Sequence, residues 1–356
     1  MADEIIELGI PVFDLHKSGK IDLSVISKIS DIIKSCRIDL VHTHMFTANL
    51  WGRLASMLSG RKPVVITEHN MDIWKRFPES VIDKTLLPST KKILYVSNGV
   101  RSFYETKMKM PVSKGVVCHN GLDIERLASN KSRQEAREAL GMDGASIVVG
   151  AVGRLVPQKR FDLFLEALSR ASFERKGLVA IIVGDGPERE NLVSQRNKLG
   201  LSGSVKFLGL INDMGDIYKT MDLLAVSSDR EGLSISMLEA MSLGVPIVAT
   251  DVGGNSECVI DGVTGMIVPP NDSHRLGQAI VQMAGDVQKL KEMGDAAERL
   301  FQERFTVDKM VRRHEEIYLE IASSANMQIR PPRNDGGATG TQTRPPRNDG
   351  FCAHRT

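Results

Sequence analysis

The sequence predicts an α/β protein of two domains, each a parallel sheet covered by helices on both faces, and three observations carry that expectation. Short β-branched apolar runs alternate with helix-period segments over most of the 356 residues. A polar stretch between Gly121 and Ser146 interrupts that alternation once. The length also exceeds what a single hydrophobic core usually serves. The first domain is therefore placed at residues 1–128 and the second at residues 140–305.

In chain order, strands are expected over residues 40–42, 64–67, 93–97 and 115–118, with helices over 24–35, 48–59 and 98–106. Strands separated by helices need crossover connections, so the sheet they form should be parallel and buried on both faces. A charged helix over 132–140 occupies the polar stretch. The second series opens with a strand over 146–150, the loop Gly153 to Gln158 and a helix over 161–169. It continues with strands over 178–183, 205–208, 223–226 and 246–250, and helices over 273–284, 287–301 and 307–325 close it. From about Met327 the texture changes, and Arg-Pro-Pro-Arg-Asn-Asp-Gly occurs twice, from Arg330 and from Arg344. Without apolar periodicity, residues 327–356 are expected to form a disordered tail.

A formal net charge of +2, with 42% hydrophobic, 25% charged and 5% aromatic residues, belongs to an ordinary soluble globular protein. It argues against a nucleic-acid partner, which calls for basic stripes or stacking platforms. Cys36, Cys118, Cys258 and Cys352 are scattered without a Cys-x2-Cys pair, which fits a reducing, cytoplasmic setting. No apolar run is long enough to span a bilayer. The first 120 residues carry a mild basic excess, so membrane contact is expected to be at most weak and peripheral, at the inner face.

Chemistry is easiest to locate between Asp229 and Glu239, where a loop passes into a helix. Glu231 is expected just outside the helix, and Gly232 leaves room for another molecule to approach the backbone. Leu233, Ile235, Met237, Leu238, Ala240, Met241 and Leu243 make the helix apolar nearly all round, which implies a buried Glu239. A buried carboxylate needs either a polar ligand or a fixed internal donor. Gly244 and Pro246 end the helix.

Other groups gather at strand ends. Arg154 and Lys159 flank the loop that starts at Gly153, where a fork-shaped guanidinium and an ammonium suit a departing diphosphate. Gly184 and Gly186 lack the third glycine of a dinucleotide fingerprint, so tight-turn chemistry and ligand contact are equally good readings of them. His42 and His44 share one face of a strand, and His69 ends the next. Zinc would require a third ligand and an ordered surrounding shell, so a polar lining without metal is expected, with His69 a cleft residue.

With these residues assembled, the chain resembles the retaining glycosyltransferases of the GT-B fold, of the group 1, family-four type that carries a Glu-x7-Glu signature. Glu231 and Glu239 have that spacing. Asn120 to Asp123, Val152 to Lys159, Val183 to Glu188, Glu239 to Gly254 and Gly265 to Pro270 match further motifs in order. The resemblance implies two Rossmann-like domains facing across a cleft, with the helix over 307–325 packing back on the first. It implies a nucleotide-sugar donor, UDP- or GDP-linked, with no other cofactor. A hexose or N-acetylhexosamine would pass with retention to a glycan or lipid-linked acceptor in cell-envelope polysaccharide or glycolipid synthesis. Carried over by position, Arg154 and Lys159 hold the diphosphate, with Gly153, Gly184 and Gly186 in the loops beside it. Glu231 contacts the sugar hydroxyls, Glu239 takes the ribose, and the amides around Gly232, Leu233 and Ser234 face the phosphates. His69 lies beside the transferring sugar, and His44 lines the acceptor side.

The sequence departs from the family at its start, where a strand, a glycine loop, a helix and a second strand usually precede the counterpart of Gly9-Ile-Pro-Val-Phe. The first domain is accordingly expected to be N-terminally truncated and to lack inner strands. A protein that binds the nucleotide sugar but transfers poorly is the rival expectation.

Overall fold

The computed structural model describes residues 2–19, 21–75, 77–142 and 146–324. The repeat-bearing segment 327–356 lies outside them. The first sheet contains β1 (Val41–His44), β2 (Val64–Glu68), β3 (Thr90–Tyr95) and β4 (Gly115–Val117), in that spatial order and parallel throughout. Crossover helices sit between these strands because parallel neighbours cannot be joined by tight turns. All five residues of β2 are buried, which explains why the sequence shows an apolar run there and no alternation. β1 is an edge strand. Among the described residues, 2–40 add the helices Ala2–Glu7 and Ser24–Ser35 and no strand.

The second sheet contains β5 (Ile147–Val152), β6 (Leu178–Val183), β7 (Val205–Gly209), β8 (Leu223–Val226), β9 (Ile247–Thr250) and β10 (Gly265–Val268). Its order, β10-β9-β8-β5-β6-β7, places β5 and β8 side by side, with Val149 opposite Leu223. The chain grows outward from β5 in one direction and from β8 in the other. The loops that follow β5 and β8 therefore meet at the change of direction, the usual ligand position in such sheets.

Two details differ from the sequence expectation. β10 was not expected as a strand: it is only four residues long and opens on Gly265, whose backbone lies so close to the Ile247 carbonyl that a Cβ would come within 1.9 Å. The helix expected over 98–106 instead breaks into Asn98–Ser102 and a wider turn over Phe103–Lys107.

One buried cluster runs through both domains, joining Ile66, Tyr95 and Val96 to Leu233, Met237 and Leu238. The chain crosses back where Leu122 donates to the Phe305 carbonyl at 2.9 Å and accepts from Val307 at 3.2 Å. The final helix, Val307–Ser324, then packs Ile317 and Ile321 on Val65, Leu94 and Cys118 of the first sheet.

Candidate active site

The crevice between β5 and β8 is floored by two loops tied together. Asp229 donates its amide to the Gln158 carbonyl at 2.9 Å, and the Gln158 side chain donates to the Arg230 carbonyl at 2.8 Å. This brings Lys159 Nζ within 2.6 Å of Glu231 Oε1, which also accepts from Ser228 Oγ at 2.6 Å. Glu231 is only 5% exposed. A carboxylate so shielded needs a counter-charge, and Lys159 supplies it. Both bonds fall on Oε1. Arg154 is exposed on the same loop as Gly153. The sequence reading passed over Arg160, which takes a left-handed backbone (φ 50°) and binds Asp162 at 3.0 Å and Asp229 at 3.1 Å, bracing the loop.

The geometry bears on three sequence expectations. Gly184 and Gly186 are pressed against the neighbouring loop: a Cβ on them would meet the carbonyls of Gly153 at 2.0 Å and Leu155 at 2.4 Å. Their smallness serves loop-to-loop packing. Gly232 does make room for a close approach, but what approaches is the His69 carbonyl of the first domain, 1.9 Å from where a Cβ would stand.

The third expectation is corrected: the helix after Glu231 spans only Ile235–Ser242 and is not apolar all round. Leu233 and Ser234, each 5% exposed, lie ahead of it, and Ile235 is 44% exposed. Glu239 shares that more open side and is half-buried. Its internal partner is Tyr218, whose hydroxyl donates to Oε2 at 2.7 Å. Partial burial raises the Glu239 pKa, and the Tyr218 bond opposes the shift. Tyr218 is fixed by its helix, Met214–Thr220, so one carboxylate oxygen is satisfied without a ligand.

Across the seam stand the histidines. His44 Nδ1 and His69 Nε2 are 2.9 Å apart, and both residues are exposed to the cleft. His42 packs its ring 4.3 Å from that of His44, but its nitrogens are taken by Tyr318 at 2.6 Å and Thr67 at 2.7 Å. Burial, then the neighbouring His44, His314 and His69, lowers the His42 pKa to about 3. Partial burial, then the neighbouring His69 and His314, lowers the His44 pKa, and partial burial lowers that of His69, opposed by Asp72 and reinforced by His314.

Directly beneath His69 lies a charge network that no motif announced. Glu68, 1% exposed, accepts from Lys75 at 3.0 Å on each oxygen, from Tyr104 at 2.8 Å and from Asn49 at 3.2 Å. Lys75 also reaches Asp83 at 3.4 Å, and Asp83 pairs with Arg53. Burial works against the Lys75 ammonium, but Glu68, Asp83 and Asp72 outweigh it and hold its pKa above the usual value.

The domains touch through backbone as well. Ser97 Oγ donates to the Gly232 carbonyl at 2.8 Å, and the Gly254 amide donates to the same oxygen at 2.9 Å. The cavity between Lys159, Ser228 and Ser236 holds only about 10 Å³. A larger cavity of about 510 Å³ opens at the amino ends of β8 and β9, lined by Lys131, Arg133 and Lys219. Tyr218, the partner of Glu239, also lines it.

Comparison with known proteins gives these groups a context. Residues 2–126 match the Glycosyltransferase Family 4 model, and residues 132–300 match Glycosyl transferases group 1. An Escherichia coli UDP-Gal:alpha-D-GlcNAc-diphosphoundecaprenol alpha-1,3-galactosyltransferase is 27% identical over 311 residues, covering 84% of this chain and 80% of its own. The Rhizobium meliloti lipopolysaccharide core biosynthesis mannosyltransferase LpsB is 34% identical over 192 residues, covering 52% of this chain and 54% of its own. Among solved structures, Anabaena HepE in complex with UDP and glucose superimposes with a TM-score of 0.78 at 25% identity, covering 89% of each chain.

Proposed function

Because the chain belongs to the group 1 glycosyltransferases of the GT-B fold, we propose that it moves a hexose or N-acetylhexosamine from a UDP- or GDP-sugar to a glycan or lipid-linked acceptor, with retention at the anomeric carbon. The observation that carries this reading is the Lys159–Glu231–Ser228 contact at the β5/β8 crevice, opposite His69. Relatives support the substrate classes: HepE binds UDP and glucose, and the Escherichia coli enzyme uses a UDP-galactose donor with a lipid-linked acceptor.

In this reading the donor's diphosphate competes with Glu231 for Lys159, and Arg154 adds a second cation from the rim. As the anomeric carbon–oxygen bond breaks, charge grows on the diphosphate and these cations stabilise it. Glu231 Oε2 receives a hydroxyl of the transferring sugar. Glu239 keeps Tyr218 on one oxygen and offers the other to the ribose. The amides of Leu233 and Ser234 face the phosphates from the turn before the helix. The acceptor enters from the His44 and His69 side, and a diphosphate oxygen takes its proton. Membrane contact, in this reading, is peripheral: no described helix is long and apolar enough to cross a bilayer.

The test is a panel of UDP- and GDP-sugars offered with glycan and polyprenyl-linked acceptors, following nucleotide release and the anomeric configuration of the product. One donor class is expected to give release that depends on acceptor, with the α-linkage of the donor kept. Inversion would refute the retaining step, and the absence of release from every donor would refute the activity.

A further inference from the structure

We propose that Glu257 is a positioning residue for this reaction: it clasps the second domain to the first and keeps the acceptor side of the cleft in register with Glu231. The inference rests on the functional reading above.

Glu257 lies in the short helix Asn255–Cys258 that follows β9, with its side chain 17% exposed. Both of its oxygens turn to the first domain. Oε2 accepts from the Asn98 side-chain amide at 2.8 Å and meets His119 Nε2 at 2.8 Å, while Oε1 accepts from the Gly99 amide at 3.2 Å. Burial alone would raise its pKa, but the bonds from His119, Asn98 and Gly99 outweigh it and hold the carboxyl below its ordinary value. Glu257 therefore stays ionised at neutral pH, where charge-assisted bonds are stronger than neutral ones.

What the clasp holds is a stack of bare backbone. A Cβ on Gly99 would stand 1.9 Å from the Gly253 carbonyl oxygen, and one on Gly253 would stand 1.8 Å from the Glu231 carbonyl oxygen. Gly254 lies against the Gly232 carbonyl and the Ser97 side chain beside this stack. No side chain separates these layers, so movement of the first domain at Gly99 passes through Gly253 to Glu231. The Ser97 bond to Gly232 is neutral, and the Asn120 bond to Leu233 is long at 3.4 Å. Glu257 supplies the charged element of the seam.

Loss of the clasp lets the acceptor face lean away and admits water. Water then takes the acceptor's place: its oxygen bonds the anomeric carbon, the bond from that carbon to the diphosphate breaks, and the water's proton goes to the departing diphosphate. The experiment compares wild type, Glu257→Ala and Glu257→Gln, the last keeping shape and one acceptor oxygen. Transfer, donor hydrolysis and donor affinity are measured separately. Misalignment of about an ångström is expected to lower transfer kcat about 10- to 100-fold in Glu257→Ala. Donor Kd should rise far less than transfer falls, since Arg154, Lys159 and Glu239 hold the donor from outside the seam. The hydrolysed fraction of consumed donor should rise, and Glu257→Gln should fall in between. Unchanged transfer, or donor affinity falling in step with transfer, overturns the proposal.

Hydrogen exchange gives a readout that does not depend on the activity. Both variants should exchange faster than wild type at residues 97–101 and 230–234, whether or not any donor turns over. Unchanged exchange there overturns the clasp and leaves the glycosyltransferase reading standing.

Discussion

The two domains share a plan, a parallel sheet whose strand ends meet at the cleft, but they treat charge there in opposite ways. The first domain hides its ions: Glu68, Lys75, Asp83 and Arg53 are each 2% exposed or less and satisfy one another beneath His69. The second domain keeps its ions within reach. Lys159 is 22% exposed at its side chain, and Glu239 is half-buried. Buried ionic groups beside a cleft are thus not equivalent. Where the charges are enclosed and paired within the protein, with Asp83 Oδ2 held only by its 3.4 Å ion pair to Lys75, the network shapes the floor, and where the charges stay open to the cleft, the site has room for chemistry.

The sharpest way to break this contrast is to remove one charge from each side. Lys75→Met leaves Glu68 and Asp83 buried without their cation and should cost about 3–5 kcal/mol of stability in urea unfolding. If donor affinity of the folded variant drops more than stability does, the first-domain network is not merely a support. Glu231→Ala should do the reverse, lowering kcat about 10²–10³-fold while losing less stability than Lys75→Met, because the Lys159 it leaves behind reaches solvent. Retained turnover in that variant would remove Glu231 from the mechanism.

A smaller effect distinguishes the domains by pH. His42 holds a folded pKa of about 3 against an ordinary value of 6.5, so the unfolded chain binds the extra proton between those limits. Stability from this group is therefore complete above about pH 6.5 and falls as the pH drops toward 3, with a slope of up to about 1.4 kcal/mol per unit. His44 and His69 shift in the same direction. Melting temperatures measured from pH 7.5 to 4.5 should fall, and His42→Gln should flatten the slope. A melting temperature that rises on acidification contradicts the assignment of a neutral histidine row.

The contrast also explains what could be read from the sequence. Glu231, Glu239, Arg154 and Lys159 stand in short contiguous stretches because loops at strand ends carry their groups locally. Strand and helix periods likewise placed most of the elements, although a four-residue β10 beginning in glycine left no pattern to follow. Partnerships were invisible where they join distant elements. Tyr218 and Glu239 are 21 residues apart, Glu68 and Tyr104 are 36 apart, and His119 and Glu257 are 138 apart. No local period records such pairs, so the sequence could state that Glu239 needs a partner but not that Tyr218 is one. The apolar helix was overread for a related reason: burial depends on what packs against each face, and nothing covers Ile235 fully.

The proposed function requires the strand ends of the second domain to hold a nucleotide sugar, with Glu239 on the ribose. Calorimetric titration of wild type and Glu239→Ala with the nucleotide sugar that wild type accepts tests it most directly. Loss of a charge-assisted bond to one hydroxyl pair should weaken binding about 10-fold, corresponding to about 1.4 kcal/mol. Equal affinity in the two proteins would contradict the claim.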